Sequence, residues 1–211
     1  YPFPPHPPTA PDVNPTGWYR TRFDVPAEWD GRRVFLCFES CDSACRVWVN
    51  GEDVGYSEDS KLPHEFDVTS TVRVGANDLA VMVPRYCSGF YLEDQDYWHL
   101  SGIQRDVVLY SKPPAHIRDY CVRTHFDDAF ENATLEVETE MNEVDDLVEG
   151  YCVSMALYAP DGGEVWAEPR TAPVATHTPM GRGATHRRSA AHARIPVEAP
   201  LHWTAETPHL Y

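Results

Sequence analysis

Apolar and polar residues alternate with a period of two in short runs along this chain. Tyr19, Thr21, Phe23 and Val25 alternate with Arg20, Arg22 and Asp24, which predicts a half-buried strand. Val34-Phe35-Leu36-Cys37-Phe38 is apolar on both faces and predicts a central strand covered on both sides. Arg46-Val47-Trp48-Val49 runs into Asn50-Gly51, a pair suited to the positive φ angles of a tight hairpin, and Val54-Gly55-Tyr56 begins the return. Phe66-Asp67-Val68 and Asp78-Leu79-Ala80-Val81-Met82-Val83 predict two more strands, joined across Gly75-Ala76-Asn77. Asp106-Val107-Val108-Leu109-Tyr110 closes the set.

Lys112-Pro113-Pro114 marks a boundary, and beyond it the alternation starts again. Leu135, Val137 and Thr139 alternate with Glu136, Glu138 and Glu140, and Tyr151, Val153, Met155 and Leu157 alternate with Cys152, Ser154 and Ala156. Pro160-Asp161-Gly162-Gly163 reads as a turn, and Glu164-Val165-Trp166 as the start of a strand. Residues 170–190 have little period and read as a long loop, followed by a late strand at Ala193-Arg194-Ile195-Pro196-Val197. Many short strands separated by turn signals predict an all-β protein of two sandwiches, one over 1–112 and an immunoglobulin-like one over 113–211.

Composition sharpens this picture. The chain has 211 residues, is 42% hydrophobic and contains 19 prolines, which suits packed β-structure better than long helices. Pro2, Pro4, Pro5, Pro7, Pro8, Pro11 and Pro15 make residues 1–17 an extended arm. The net charge of -16 disfavours nucleic acids and anionic membrane surfaces, because both attract basic patches. No apolar run approaches the ~18 residues of a membrane span. Because the chain begins at Tyr1 rather than Met, we expect a piece of a longer protein. Its six cysteines are too sparse for a disulfide scaffold and are expected to be free thiols. Cys41-Asp42-Ser43-Ala44-Cys45 is the one spacing that suggests local redox or metal chemistry, and no histidine flanks it. Ser60, His64 and Asp67 hold the residue types of a hydrolytic triad, but spacing alone is no warrant for one.

Tyr91-Leu92-Glu93-Asp94-Gln95-Asp96-Tyr97-Trp98 carries most of the candidate chemistry. It sets three acids among aromatic and apolar residues with no strand or helix period. It reads as a loop with the make-up of a sugar-binding rim. Trp98 and Tyr97 would either stack on a sugar ring or pack in an interface. Glu93 and Asp94 are expected to brace the loop.

With that loop and Asn14-Pro15-Thr16-Gly17-Trp18-Tyr19, the chain resembles the N-terminal region of the large bacterial β-galactosidases of glycoside hydrolase family 2. The hairpin Val47-Trp48-Val49-Asn50-Gly51, with Phe66-Asp67-Val68 and Gly75 to Val81, resembles the family's jelly-roll sugar-binding domain. Ser101-Gly102-Ile103 and Arg105-Asp106-Val107 extend the match, and Leu201 to Tyr211 resembles the end of its second domain, just before that domain's last strand. The resemblance implies a galactose-binding-like jelly roll, lacking its first strands, followed by an immunoglobulin-like sandwich. It implies that Asp96 ligates sodium and meets the galactose 6-hydroxyl. It places His6 where the family carries an asparagine that reaches the sugar, a departure that changes the donor there. The retaining mechanism needs two glutamates of a barrel domain, so the chain alone is expected to be inactive. Magnesium, the barrel domains, a homo-oligomeric assembly, a β-galactoside substrate such as lactose and a cytoplasmic location are further implications for the intact enzyme. Two other readings compete: a stand-alone carbohydrate-binding module, and a family 2 enzyme of other specificity, such as a β-glucuronidase or β-mannosidase.

Overall fold

The structure, a computed structural model, describes residues 7–93, 96, 98, 100–142, 150–177 and 188–211. His6 therefore lies outside the described residues, as do Asp94, Gln95 and Tyr97 of the acidic loop. The chain folds as two compact units, Tyr1–Pro114 and Ala115–Tyr211. No helix among the described residues is long and apolar enough to cross a membrane.

The first unit is a two-layer sandwich. One sheet runs β1 (Thr16–Val25), β7 (Gly75–Pro84), β4 (Ala44–Val49) and β5 (Glu52–Glu58). The other runs β6 (His64–Asp67), β2 (Arg33–Phe38) and β9 (Val107–Lys112). Alternate residues of β7 (Asn77, Leu79, Val81 and Val83) point inward, and they meet Val34, Leu36 and Phe38 of β2 with Val47 and Val49 of β4. β2 is the central strand of its sheet, as its doubly apolar pattern predicts. Its outward Phe35 is covered by the Tyr110 ring at 5.5 Å. In β1 the alternation is weaker than predicted. Only Val25 is buried, with Phe23 packed partly buried against the core, because β1 sits at a sheet edge.

Asn50 and Gly51 have φ of 53° and 86°, the left-handed values of a two-residue hairpin turn, and the return strand starts at Glu52. The turn is locked from inside. Asn77 is buried, and its Nδ2 donates to the carbonyls of Arg73 (2.8 Å) and Gly75 (2.7 Å). Its Oδ1 accepts from Arg73 N (2.9 Å) and Asn50 Nδ2 (2.8 Å). All four hydrogen-bonding positions of one buried amide are filled, so a polar side chain sits in the core at little cost.

In the second unit, β10 (Ile117–Phe126), β11 (Ala133–Met141), β15 (Arg188–Val197) and β14 (Ala175–His177) form one sheet. β12 (Cys152–Met155) and β13 (Arg170–Pro173) form another. Met141, Val153, Ala172 and Ala191 share one core, and Trp166, Ile195 and Val197 a second. Two expectations change here. Arg170–Pro173 and Ala175–His177 are strands rather than loop. Glu164 makes only an isolated bridge to Tyr158, so no strand starts there.

Candidate functional site

The arm and the acidic loop come together around the end of β7. Asn14 makes the junction, because its Nδ2 donates to Tyr86 O (2.9 Å) and its Oδ1 accepts from Tyr86 N (3.0 Å). One side-chain amide thus mimics a strand partner for the Tyr86 backbone. Arg85 N donates to Pro15 O (2.9 Å), and Tyr91 Oη donates to Thr9 O (2.8 Å). Tyr86 itself meets the buried Phe90 edge-on at 5.2 Å, with the Arg85 guanidinium over its ring.

Beyond β7 the chain is anchored step by step. Glu58, at the end of β5, accepts from Ser88 Oγ (2.9 Å), Gly89 N (3.0 Å) and Tyr56 Oη (2.7 Å). Burial raises its pKa, but those hydrogen bonds outweigh burial and hold the carboxyl below its ordinary value. A one-turn helix α1 (Phe90–Glu93) follows, where the sequence reads as loop. Glu93 ends it and accepts from both Ser60 N (2.7 Å) and Ser60 Oγ (2.6 Å). Glu93 therefore braces the loop, as expected, through Ser60. At the far end, Gln104 Nε2 donates to the buried Asp42 carboxylate (3.2 Å) and to Leu100 O.

Between these two anchors lies Asp96, exposed, with φ of 42°. Trp98 beside it in sequence is 83% exposed, so among the described residues nothing covers its ring. Leu100, Ser101 and Gly102 return toward the body. With Pro15, Thr16, Gly17, Tyr19, Val83 and Arg85 they line a cleft of about 460 Å³. Gly102, in the short strand β8 (Gly102–Ile103), has φ of 127°, and a Cβ there would come within 3.1 Å of Tyr19 Oη. The absent side chain lets the tyrosine form the cleft wall.

Residues 1–113 match the family described as "Glycosyl hydrolases family 2, sugar binding domain", and residues 115–211 match "Glycosyl hydrolases family 2". The chain belongs to glycosyl hydrolase family 2. A β-galactosidase of Pseudoalteromonas haloplanktis is 41% identical over the whole chain, and one of Aeromonas hydrophila is 42% identical. The chain spans 20% of the length of each. Among solved structures, a β-glucuronidase of an uncultured Clostridium sp. is 25% identical, covers 92% of this chain and 31% of its own, and superposes with a TM-score of 0.70.

Within this family 2 region, the structure does not assemble the other candidate chemistries. His64 Nδ1 lies 2.7 Å from Ser57 Oγ, not Ser60, and Asp67 is paired with Arg33 and Thr69. Ser60, His64 and Asp67 therefore form no triad. Cys41 and Cys45 are buried and hydrogen-bonded to each other; that bond raises the pKa of Cys41 and lowers that of Cys45. All six cysteines are free thiols. No group of three or more His, Cys, Asp or Glu among the described residues is placed to hold a metal. Asp96 is a hard-oxygen donor that fits one position around a sodium ion, and the remaining ligands would have to come from elsewhere. Sequence reasoning missed the clamps Asn14, Glu58 and Ser60. Asn14 lay inside a quoted motif, but its role depends on Tyr86, 72 residues away.

Proposed function

We propose that this chain is the non-catalytic leading part of a β-galactosidase, where it walls the sugar pocket and presents Asp96 to the galactose. The observation that carries this reading is the loop anchored at Glu93 and Gln104 that leaves the Asp96 carboxylate exposed between them. An ionised carboxylate is an acceptor only, so it suits a sugar hydroxyl or a hard cation and repels an anionic substituent. That favours a neutral galactoside over a glucuronide. The higher identity to proteins named β-galactosidase, 41% and 42% against 25% for a β-glucuronidase, points the same way.

On this reading the substrate's 6-hydroxyl donates to Asp96, and a bound sodium ion would offset the charge and accept the same oxygen as a ligand. The Asn14 clamp and the Tyr91–Thr9 hydrogen bond hold the arm against the segment that leads into the loop. Bond cleavage belongs to residues outside this chain. Six free thiols accord with a cytoplasmic protein. The test is turnover by the longer protein of nitrophenyl β-galactoside against nitrophenyl β-glucuronide, with the 211-residue chain as control. We expect hydrolysis of the galactoside by the longer protein and none by the chain alone. A preference for the glucuronide, or clear turnover by the chain alone, would overturn the reading.

A further inference from the structure

Glu58, Asp59, Ser60 and Lys61 follow one another between β5 and β6, and together they hold both ends of the acidic loop. At the near end, Glu58 accepts from Gly89 N (3.0 Å), and Ser60 donates to the Glu93 carboxylate from its amide (2.7 Å) and its hydroxyl (2.6 Å). At the far end, Arg105 Nη1 donates to Lys61 O (3.2 Å). Gln104 N donates to Ser40 O (3.3 Å), and Ser40 Oγ donates in turn to Ser60 O (2.6 Å). Ser40 and Ser60 are both fully buried, so these links have no competing water. The segment from Ser88 to Arg105 therefore leaves one short turn and returns to the same turn.

Asp59 sets the shape of that turn. Its φ is 107°, in the left-handed half of backbone space that a residue with a Cβ rarely enters. Aspartate and asparagine tolerate such values because a short polar side chain can bond the local backbone. Asp59 Oδ1 does so twice, accepting from Lys61 N (2.9 Å) and Leu62 N (3.1 Å). An alanine here would have to hold the same bend with no acceptor to offset it. We propose that Asp59 is a positioning residue for the substrate: it fixes the Glu58–Lys61 turn, and the turn fixes the loop that carries Asp96 from both sides. Asp59 acts through the turn and the loop, not on the sugar itself. Because both ends share one mount, the pose of Asp96 depends on a single carboxylate rather than on two independent anchors. A binding group carried by a loop is only as precise as the groups that hold that loop. This inference rests on the reading of Asp96 as a sugar ligand, and the experiment separates the two.

Asp59→Ala, Asp59→Asn and Asp96→Asn are compared with the unaltered longer protein by steady-state kinetics on nitrophenyl β-galactoside, and by amide exchange. We expect Asp59→Ala to raise KM roughly tenfold with little change in kcat, since a displacement of ~1 Å can cost as much as ~100-fold. Asparagine keeps an acceptor oxygen and tolerates positive φ, so Asp59→Asn should restore most of the original KM. A turn that mattered only for stability would instead lower the active fraction, and with it the apparent kcat, at unchanged KM. In Asp59→Ala the amides of Gly89 and Gln104, at opposite ends of the loop, should exchange faster together, while those of β4 keep their protection. The proposal is overturned if Asp96→Asn raises KM and Asp59→Ala does not, if Asp59→Asn is as impaired as Asp59→Ala, or if only one end of the loop loosens. If Asp96→Asn leaves both KM and kcat unchanged, the sugar role of Asp96 fails, and the exchange of Gly89 and Gln104 alone decides whether Asp59 holds the loop.

Discussion

Replacing Asn14 with alanine removes both hydrogen bonds that tie the proline-rich arm to the Tyr86 backbone, at 2.9 and 3.0 Å. Each neutral hydrogen bond of this kind contributes a net ~0.5–1.5 kcal/mol, so the clamp is worth about 1–3 kcal/mol. The arm keeps two other links, Arg85 N to Pro15 O and Tyr91 Oη to Thr9 O, so it should loosen rather than unfold the sandwich. The effect should therefore be local. Exchange of the Tyr86 amide should quicken by roughly 5- to 150-fold, the factor that corresponds to that free energy. Amides of β4 and β7, held in the core, should keep their protection. Asn14→Asp is the sharper control. Its carboxylate still accepts from Tyr86 N but loses the donor and faces the Tyr86 carbonyl with negative charge. Hydrogen exchange read by mass spectrometry or NMR separates these cases. Unchanged protection at Tyr86 in Asn14→Ala would refute the clamp, and loss of protection throughout β4 would refute its local character.

Asn77→Leu should cost the first unit about 2–4 kcal/mol in urea unfolding, because four partners of one buried amide lose it together; a cost under ~1 kcal/mol would mean those groups find other partners. Glu136 is held down to a pKa of about 2, chiefly by hydrogen bonds with His192 and His125. A carboxyl whose folded pKa is depressed stabilises above its ordinary value of 4.5 and loses that contribution as pH falls toward about 2. Glu136→Gln should therefore flatten the acid-side slope of stability in that window, and an unchanged slope would contradict the assignment. Thiol titration in denaturant without reductant should count six, and a count of four or fewer would point to disulfides.

Much of the first unit was legible because its strands are half-buried. Leu79, Val81 and Val83 show a clean period of two, and Asn50-Gly51 admits few conformations besides a hairpin turn. β10 escaped notice because it is an edge with both faces in solvent, so Thr124 and Cys121 dilute its alternation. The strands within 170–177 escaped for a related reason, since polar residues on an outer strand carry no periodic signal. At the site, the acidic run was visible, but the anchors were not. Glu93 reaches Ser60 across 33 positions and Gln104 reaches Asp42 across 62, distances at which sequence spacing says nothing about contact. The short helix at 90–93 depends on those anchors too, being too short to form alone.

The most direct test of the account is the kinetics of Asp96→Asn in the longer enzyme, measured against sodium concentration on a galactoside and on its 6-deoxy analogue. The substitution keeps the shape and removes the charge. The expected result is weaker sodium dependence, slower turnover of the galactoside and a much smaller change on the analogue, which lacks the hydroxyl proposed to meet Asp96. Unchanged sodium dependence together with unchanged rates on both substrates would contradict the role assigned to Asp96.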